Sequence, residues 1–178
     1  MKHLSKLIGA SLLLIALSIP QSAIYAGPSL KVLGWGAKSG PLKSFGVNSE
    51  AALRSAVAEI NKAGGVRMGD GSMAPMEVVG YEDSACKKDE AIAILRKTAA
   101  TTDAIVGMGT TCSGVCQAMF GVLQKKRGDT SDSGVQMPIL ADTCIRPGLA
   151  KISDWSFRNV PNEITMYDEL FKWLRTAY

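Results

Sequence analysis

The 178-residue sequence predicts an α/β fold, a doubly wound and mostly parallel sheet with helices on both faces. Two observations carry that expectation. Short apolar runs alternate with segments whose apolar residues recur at helical spacing, and the connections are long enough for parallel crossovers. The stretch D-A-I-V-G-M-G-T-T-C-S-G-V-C, from Asp103 to Cys116, reads as buried strand, Gly-rich turn and helix start. Such junctions present unpaired backbone N–H groups and the positive end of a helix dipole to a ligand.

Leu30, Val32, Leu33 and Trp35 mark a first strand over Leu30–Gly36, followed by a loop through Gly46. Leu53, Ala56, Val57 and Ile60 mark a helix starting near Asn48 or Ser49 and stopping at Gly64-Gly65. Residues 67–75, rich in Gly and Met, read as loop, and Met76 to Tyr81 as a second strand. Ala91, Ile92, Leu95 and Ala99 make the apolar face of the next helix, and Ala104-Ile105-Val106 the core strand. Ser113 is either an N-cap or a ligand contact. Val115, Met119, Val122 and Leu123 continue at helical spacing, and the polar run 125–133 reads as surface loop. Residues 135–141 supply a fourth strand, with Pro138 marking an edge or a strand start, and residues 155–160 a short fifth. Ligands collect beyond the carboxyl ends of strands in such sheets, so the loops 36–46, 109–113 and 141–147 are expected to share one rim.

Lys2 and Lys6, the apolar run Leu7–Ile19 and the small-residue stretch ending at Ala26 read as a cleavable export signal over residues 1–26. The run is shorter than the roughly 20 residues that span a bilayer. The first cysteine is Cys86, so no cysteine stands at the cleavage point to take a lipid, and the expected product is soluble and periplasmic. A net charge of +4 without a basic run or interleaved aromatics argues against a nucleic-acid partner. His3 is the single histidine and lies in the signal, which disfavours Ser-His and Cys-His catalysis and histidine metal sites; no cofactor is implied. Cys86, Cys112, Cys116 and Cys144 permit three pairings. Cys86 with Cys112 is favoured, because both fall just beyond strands that precede helices, and Cys116 with Cys144 then follows by elimination. A zinc site lacks the paired C-x-x-C units.

Several motifs carry a family resemblance in their order: S-G-P at Ser39–Pro41, Phe45-Gly46, A-V-A-E-I-N-K-A-G-G at Ala56–Gly65, Y-E-D-S-A-C at Tyr81–Cys86 and G-T-T-C-S at Gly109–Ser113. Together they resemble the amino-terminal half of the periplasmic leucine/isoleucine/valine-binding proteins of ABC transporters, which have the type I periplasmic-binding fold. The resemblance implies a Cys86–Cys112 disulfide. It also implies that Ser113, beside Cys112, holds an α-carboxylate through its hydroxyl and backbone N–H. Phe45 falls where a ligand-contacting tyrosine is usual, and can pack without hydrogen-bonding. An ungapped match puts Thr143 at a carbonyl that holds the ligand's ammonium and Ile145 where a threonine hydroxyl is usual; a two-residue shift returns Thr143 to that role. Lys38 lies on the same rim.

The resemblance further implies a two-lobed chain that delivers its solute to an inner-membrane ABC permease. Residues 27–161 then make an incomplete amino-terminal lobe, and residues 162–178 the hinge crossing and first helix of a second lobe. The apolar face of that helix, with Met166, Tyr167, Leu170, Trp173 and Leu174, is expected to promote self-association in a truncated, marginally stable product. The expected function is capture of a branched-chain amino acid or similar small amide or carboxylate solute, without catalysis. One alternative is an extracellular ligand-sensing module of a receptor. Another is a hydrolase with Ser113 as nucleophile, which would need Lys38 or Lys43 as base.

Overall fold

The computed structural model describes residues 27–178, so the export signal read in residues 1–26 lies outside the described residues. In chain order the elements are β1 (Leu30–Gly36), α1 (Lys43–Lys62), β2 (Val66–Arg67), β3 (Met73–Ala74), β4 (Met76–Asp83), α2 (Lys88–Thr101), β5 (Val106–Met108), α3 (Ser113–Gly121), β6 (Ile139–Ala141), β7 (Ser156–Arg158) and α4 (Glu163–Ala177). Five strands form one parallel sheet in the order β4-β1-β5-β6-β7. Strand order therefore reverses at β1, and the seam between β1 and β5 is the topological switch point at which such sheets hold ligands.

Two apolar clusters lie against the sheet. Val32, Leu53, Val57 and Tyr81 pack beneath α1, while Trp35, Leu95, Met119, Phe120 and Ile139 pack with α2 and α3. Alternate residues of β1 thus serve different clusters, which is why the strand is buried from Val32 to Gly36. The indole N–H of Trp35 donates to the Met119 sulfur at 2.9 Å, so its one polar group is satisfied.

The structure departs from the sequence reading at several junctions. Helix α1 begins at Lys43, before the expected Asn48 or Ser49, and has no side-chain cap. Gly40 adopts φ +70°, and the Lys43 N–H donates to its carbonyl, so a glycine turn starts the helix in place of a capping residue. Gly46, in the first turn, permits close packing: a Cβ there would lie 2.1 Å from the Ala37 carbonyl oxygen. The expected 67–75 loop is bounded by a small antiparallel hairpin, β2 with β3, whose turn is closed by Asp70 accepting from the Ser72 N–H at 2.9 Å and its hydroxyl at 2.7 Å. Strand β5 starts at Val106, opposite Val32, and leaves Ile105 51% exposed. An ion pair between Lys31 and Asp103 ties down the chain just ahead of it. Strand β6 lies inside the sheet between β5 and β7; Pro138 immediately precedes it, and its carbonyl accepts from the Gly107 N–H at 2.9 Å. Proline thus stands where no ladder donor is needed. Among the described residues no helix is long and apolar enough to cross a membrane.

Candidate ligand site at the sheet switch point

The three turns expected on one rim meet there. The Ala37 N–H, just past β1, donates to the Thr111 hydroxyl at 3.0 Å. The Thr143 hydroxyl, just past β6, donates to the carbonyls of Thr111 at 3.1 Å and Thr110 at 3.3 Å. The Arg146 N–H reaches the Ser113 hydroxyl at 3.4 Å. Gly109 makes the turn possible: its φ is +130°, and a Cβ would fall 1.9 Å from the Trp35 carbonyl oxygen.

Ser113 is the first residue of α3 and does not cap it; Cys112 holds the N-cap position without a side-chain cap hydrogen bond. The first N–H groups of α3 are consequently left without intrahelical partners, and no acidic residue occupies its first turn. A carboxylate there would meet both the donors and the positive dipole end. Cys112 is disulfide-bonded to Cys86, with Cα atoms 5.8 Å apart, which ties the start of α3 to the loop after β4.

The expected second bridge is corrected: Cys116 and Cys144 are free thiols, both fully buried. The Cys144 sulfur is directed to Thr110, 3.0 Å from its carbonyl oxygen and 3.2 Å from its hydroxyl, instead of being joined to Cys116. Its neighbouring sulfur and burial push the Cys116 thiol up, so that thiol stays protonated.

The other expected contacts, Phe45, Ile145 and Lys38, lie in three different segments. Phe45 is 51% exposed on the first turn of α1. Ile145 is half-buried, and its carbonyl accepts from the Glu163 N–H at 2.8 Å, which ties this loop to the start of α4. Lys38 pairs with Glu50 at 2.5 Å and stacks 5.5 Å from the Tyr81 ring centroid. Hydrogen bonding from Lys38, then from Arg54, lowers the Glu50 carboxyl.

Thr110, Thr111, Tyr81 and Asp142 were not singled out by sequence reasoning. The two threonines and Asp142 lie in segments already placed on the rim, so proximity to Ser113 was available as a signal. Tyr81 gave none, because its hydroxyl reaches the seam only through the packing of β4 against β1 and α1.

A parallel sheet of this order, with helices on both faces and its open rim at the β1–β5 seam, is a type I periplasmic-binding lobe. No protein-family model matches the chain, and no curated protein matches it. Solved structures do. A Rhodospirillum rubrum protein assigned to branched-chain amino acid ABC transport is 24% identical with a TM-score of 0.64, over 84% of this chain and 39% of its own. The branched-chain amino acid substrate-binding protein LivJ of Streptococcus pneumoniae, solved with isoleucine, is 25% identical with a TM-score of 0.59, over 75% of this chain and 34% of its own. A solute-binding protein of an ABC transporter from Rhodopseudomonas palustris, solved with 4-hydroxybenzoate, is 16% identical with a TM-score of 0.58, over 76% of this chain and 32% of its own. The chain therefore spans well under half the length of these structures, and what it shares with them is the architecture of one lobe.

Proposed function

We infer that the chain is the amino-terminal ligand-capturing lobe of an ABC transporter substrate-binding protein. Its ligand is a branched-chain amino acid or a similar small carboxylate or amide solute. The observation that carries this reading is the meeting of the turns after β1, β5 and β6 at the switch point, around an uncapped helix start that carries Ser113. The ligand carboxylate sits against the Ser113 hydroxyl and the first N–H groups of α3, and its side chain packs towards Phe45. Residues 162–178 are the hinge crossing and the first helix of a second lobe. In support, α4 has no buried residue and exposes Ile164, Tyr167, Phe171 and Trp173. Delivery is to an inner-membrane permease, and the site of action is outside that membrane.

The hydrolase alternative is not favoured at Lys38, the first of its two candidate bases. The hydrogen bond recorded to the Ser113 hydroxyl comes from a backbone N–H, which donates, and Lys38 is committed to Glu50. Titration calorimetry of the chain with L-leucine, L-isoleucine and 4-hydroxybenzoate tests the reading. Ser113→Ala is expected to weaken whichever ligand binds by about tenfold, the loss of one hydrogen bond to a charged group. Flat titrations for the ligands, or binding untouched by that substitution, remove it.

A further inference from the structure

Helix α4 is tied to the lobe at its start. The Glu163 N–H donates to the Ile145 carbonyl at 2.8 Å, and the Asn162 side chain caps the first turn by accepting from the Thr165 N–H at 3.1 Å. None of the 15 residues of α4 is buried against the described chain. An isolated helix of that length is marginal in water, and the aromatic and β-branched residues of α4 are weak helix formers, so it needs support from packing.

Its sequence says what kind of packing. At about 100° per residue, Ile164, Met166, Tyr167, Leu170, Phe171, Trp173 and Leu174 all fall within one half of the helix, and Asp168, Glu169, Lys172 and Arg175 within the other. The polar half is self-sufficient: Lys172 pairs with Asp168 at 2.7 Å and with Glu169 at 2.9 Å. The partner that α4 lacks is an apolar one.

The size of the apolar half bounds that partner. Ile164, Tyr167, Phe171 and Trp173 are each more than half exposed. The three rings offer about 400 Å² between them, and the aliphatic residues bring the face to roughly 700 Å². Two such faces pressed together remove up to about 1,400 Å² from water, within the range of specific, stable interfaces. The face is also self-complementary. In an antiparallel pair centred between Leu170 and Phe171, Tyr167 of one copy meets Leu174 of the other and Ile164 meets Ala177, and the two-fold axis repeats both contacts. That arrangement opposes the helix dipoles and sends the two lobes, each joined at the start of α4, to opposite ends of the pair. A parallel pair would crowd both lobes at one end.

We propose that two copies of this chain associate through α4, antiparallel, with the apolar halves of the helices against each other. A second lobe and a second copy compete for this one face, and in the 178-residue chain the occupant is a second copy. The proposal does not depend on the solute.

Sedimentation velocity of the full chain from about 0.1 to 100 μM tests it. An interface of this size is expected to give a monomer–dimer equilibrium with a Kd of about 1–100 μM. Well below that range the chain is single and Trp173 is open to solvent; pairing shields it. Leu170→Glu puts a charge at the centre of each face and should raise the Kd by about tenfold or more. Because α4 buries nothing against the lobe, that variant should melt where dilute wild type melts. Lys172→Ala, on the polar half, should leave the equilibrium unchanged. Wild type that stays monomeric throughout overturns the proposal, as does association that Leu170→Glu leaves untouched, or open-ended growth past the dimer, which a closed two-fold contact does not produce. The wild-type series needs no variant to fold, and none of these outcomes decides whether the lobe binds a solute.

Discussion

Cutting the Cys86–Cys112 bridge is expected to cost stability through the unfolded chain more than through the folded one. The cysteines are 26 residues apart, which in the chain-entropy account corresponds to roughly 3.5 kcal/mol. An opposing effect is present at the same place. Ala85 and Cys86 adopt φ of 48° and 57°, a left-handed pair that costs about 1 kcal/mol per residue. If opening the bridge let this pair relax, about 2 kcal/mol would return and the loss would shrink to about 1.5 kcal/mol. The local hydrogen bonds argue against relaxation: the Ala85 N–H donates to Asp83 at 2.8 Å, and the Lys87 N–H to the Ser84 carbonyl at 2.8 Å, neither through sulfur. Urea unfolding of Cys86→Ser/Cys112→Ser against the oxidised chain should therefore show a loss of about 3 to 4 kcal/mol, and a melting point lower by on the order of 10 °C. Reduced wild type should match the double variant, because the other two cysteines are already thiols. A loss under about 1 kcal/mol would refute the entropic reasoning altogether.

Gly46→Ala forces a methyl group against the Ala37 carbonyl and should destabilise the chain by about 1–3 kcal/mol or more, with the shift visible in thermal unfolding. Leu95→Ala empties a fully buried position under α2 and should cost about 2–5 kcal/mol in the same assay. Acid should also destabilise the fold. Lys38 and then Arg54 lower Glu50; at Asp83, burial pushes the carboxyl up but is outweighed by hydrogen bonds from Ser39 and from the Lys38 and Ala85 N–H groups. Both groups have folded values below their unfolded values of 4.5 and 3.8, so their contributions are full above those values and are lost as pH falls through the folded ones. Melting points should decline below pH 4.5, and Glu50→Gln should flatten the upper part of that decline; an unchanged profile would remove Glu50 from the account.

Local chemistry made much of the fold legible. The first strand, Leu30–Gly36, stands as its apolar pattern placed it, and Gly107-x-Gly109 followed by Ser113 marked the turn into α3. Features set by contacts between distant segments were not legible. Strand β5 begins at Val106 because β1 fixes its register at Val32, and nothing in A-I-V tells which apolar residue meets that partner. Helix α1 starts on a glycine turn where a search for capping side chains looks further along. Elimination among four cysteines assumed that every thiol is oxidised, whereas Cys144 is satisfied by Thr110. The orphan hydroxyl of Tyr81 is visible only once α1, β1 and the turn after β5 are packed around it.

Trp35 is wholly enclosed beneath the rim, with its indole on the Met119 sulfur, while Trp173 is 58% exposed on α4. The third tryptophan, Trp155, is half-buried with its indole N–H on Gln124, so in a Trp155→Phe background the other two are optical reporters in opposite surroundings. Emission from Trp35 should lie to the blue and resist iodide, and that from Trp173 should lie to the red and be quenched. With Trp155 replaced, changes beneath the seam and changes along the terminal helix can be followed separately in one cuvette, without attaching a dye to either.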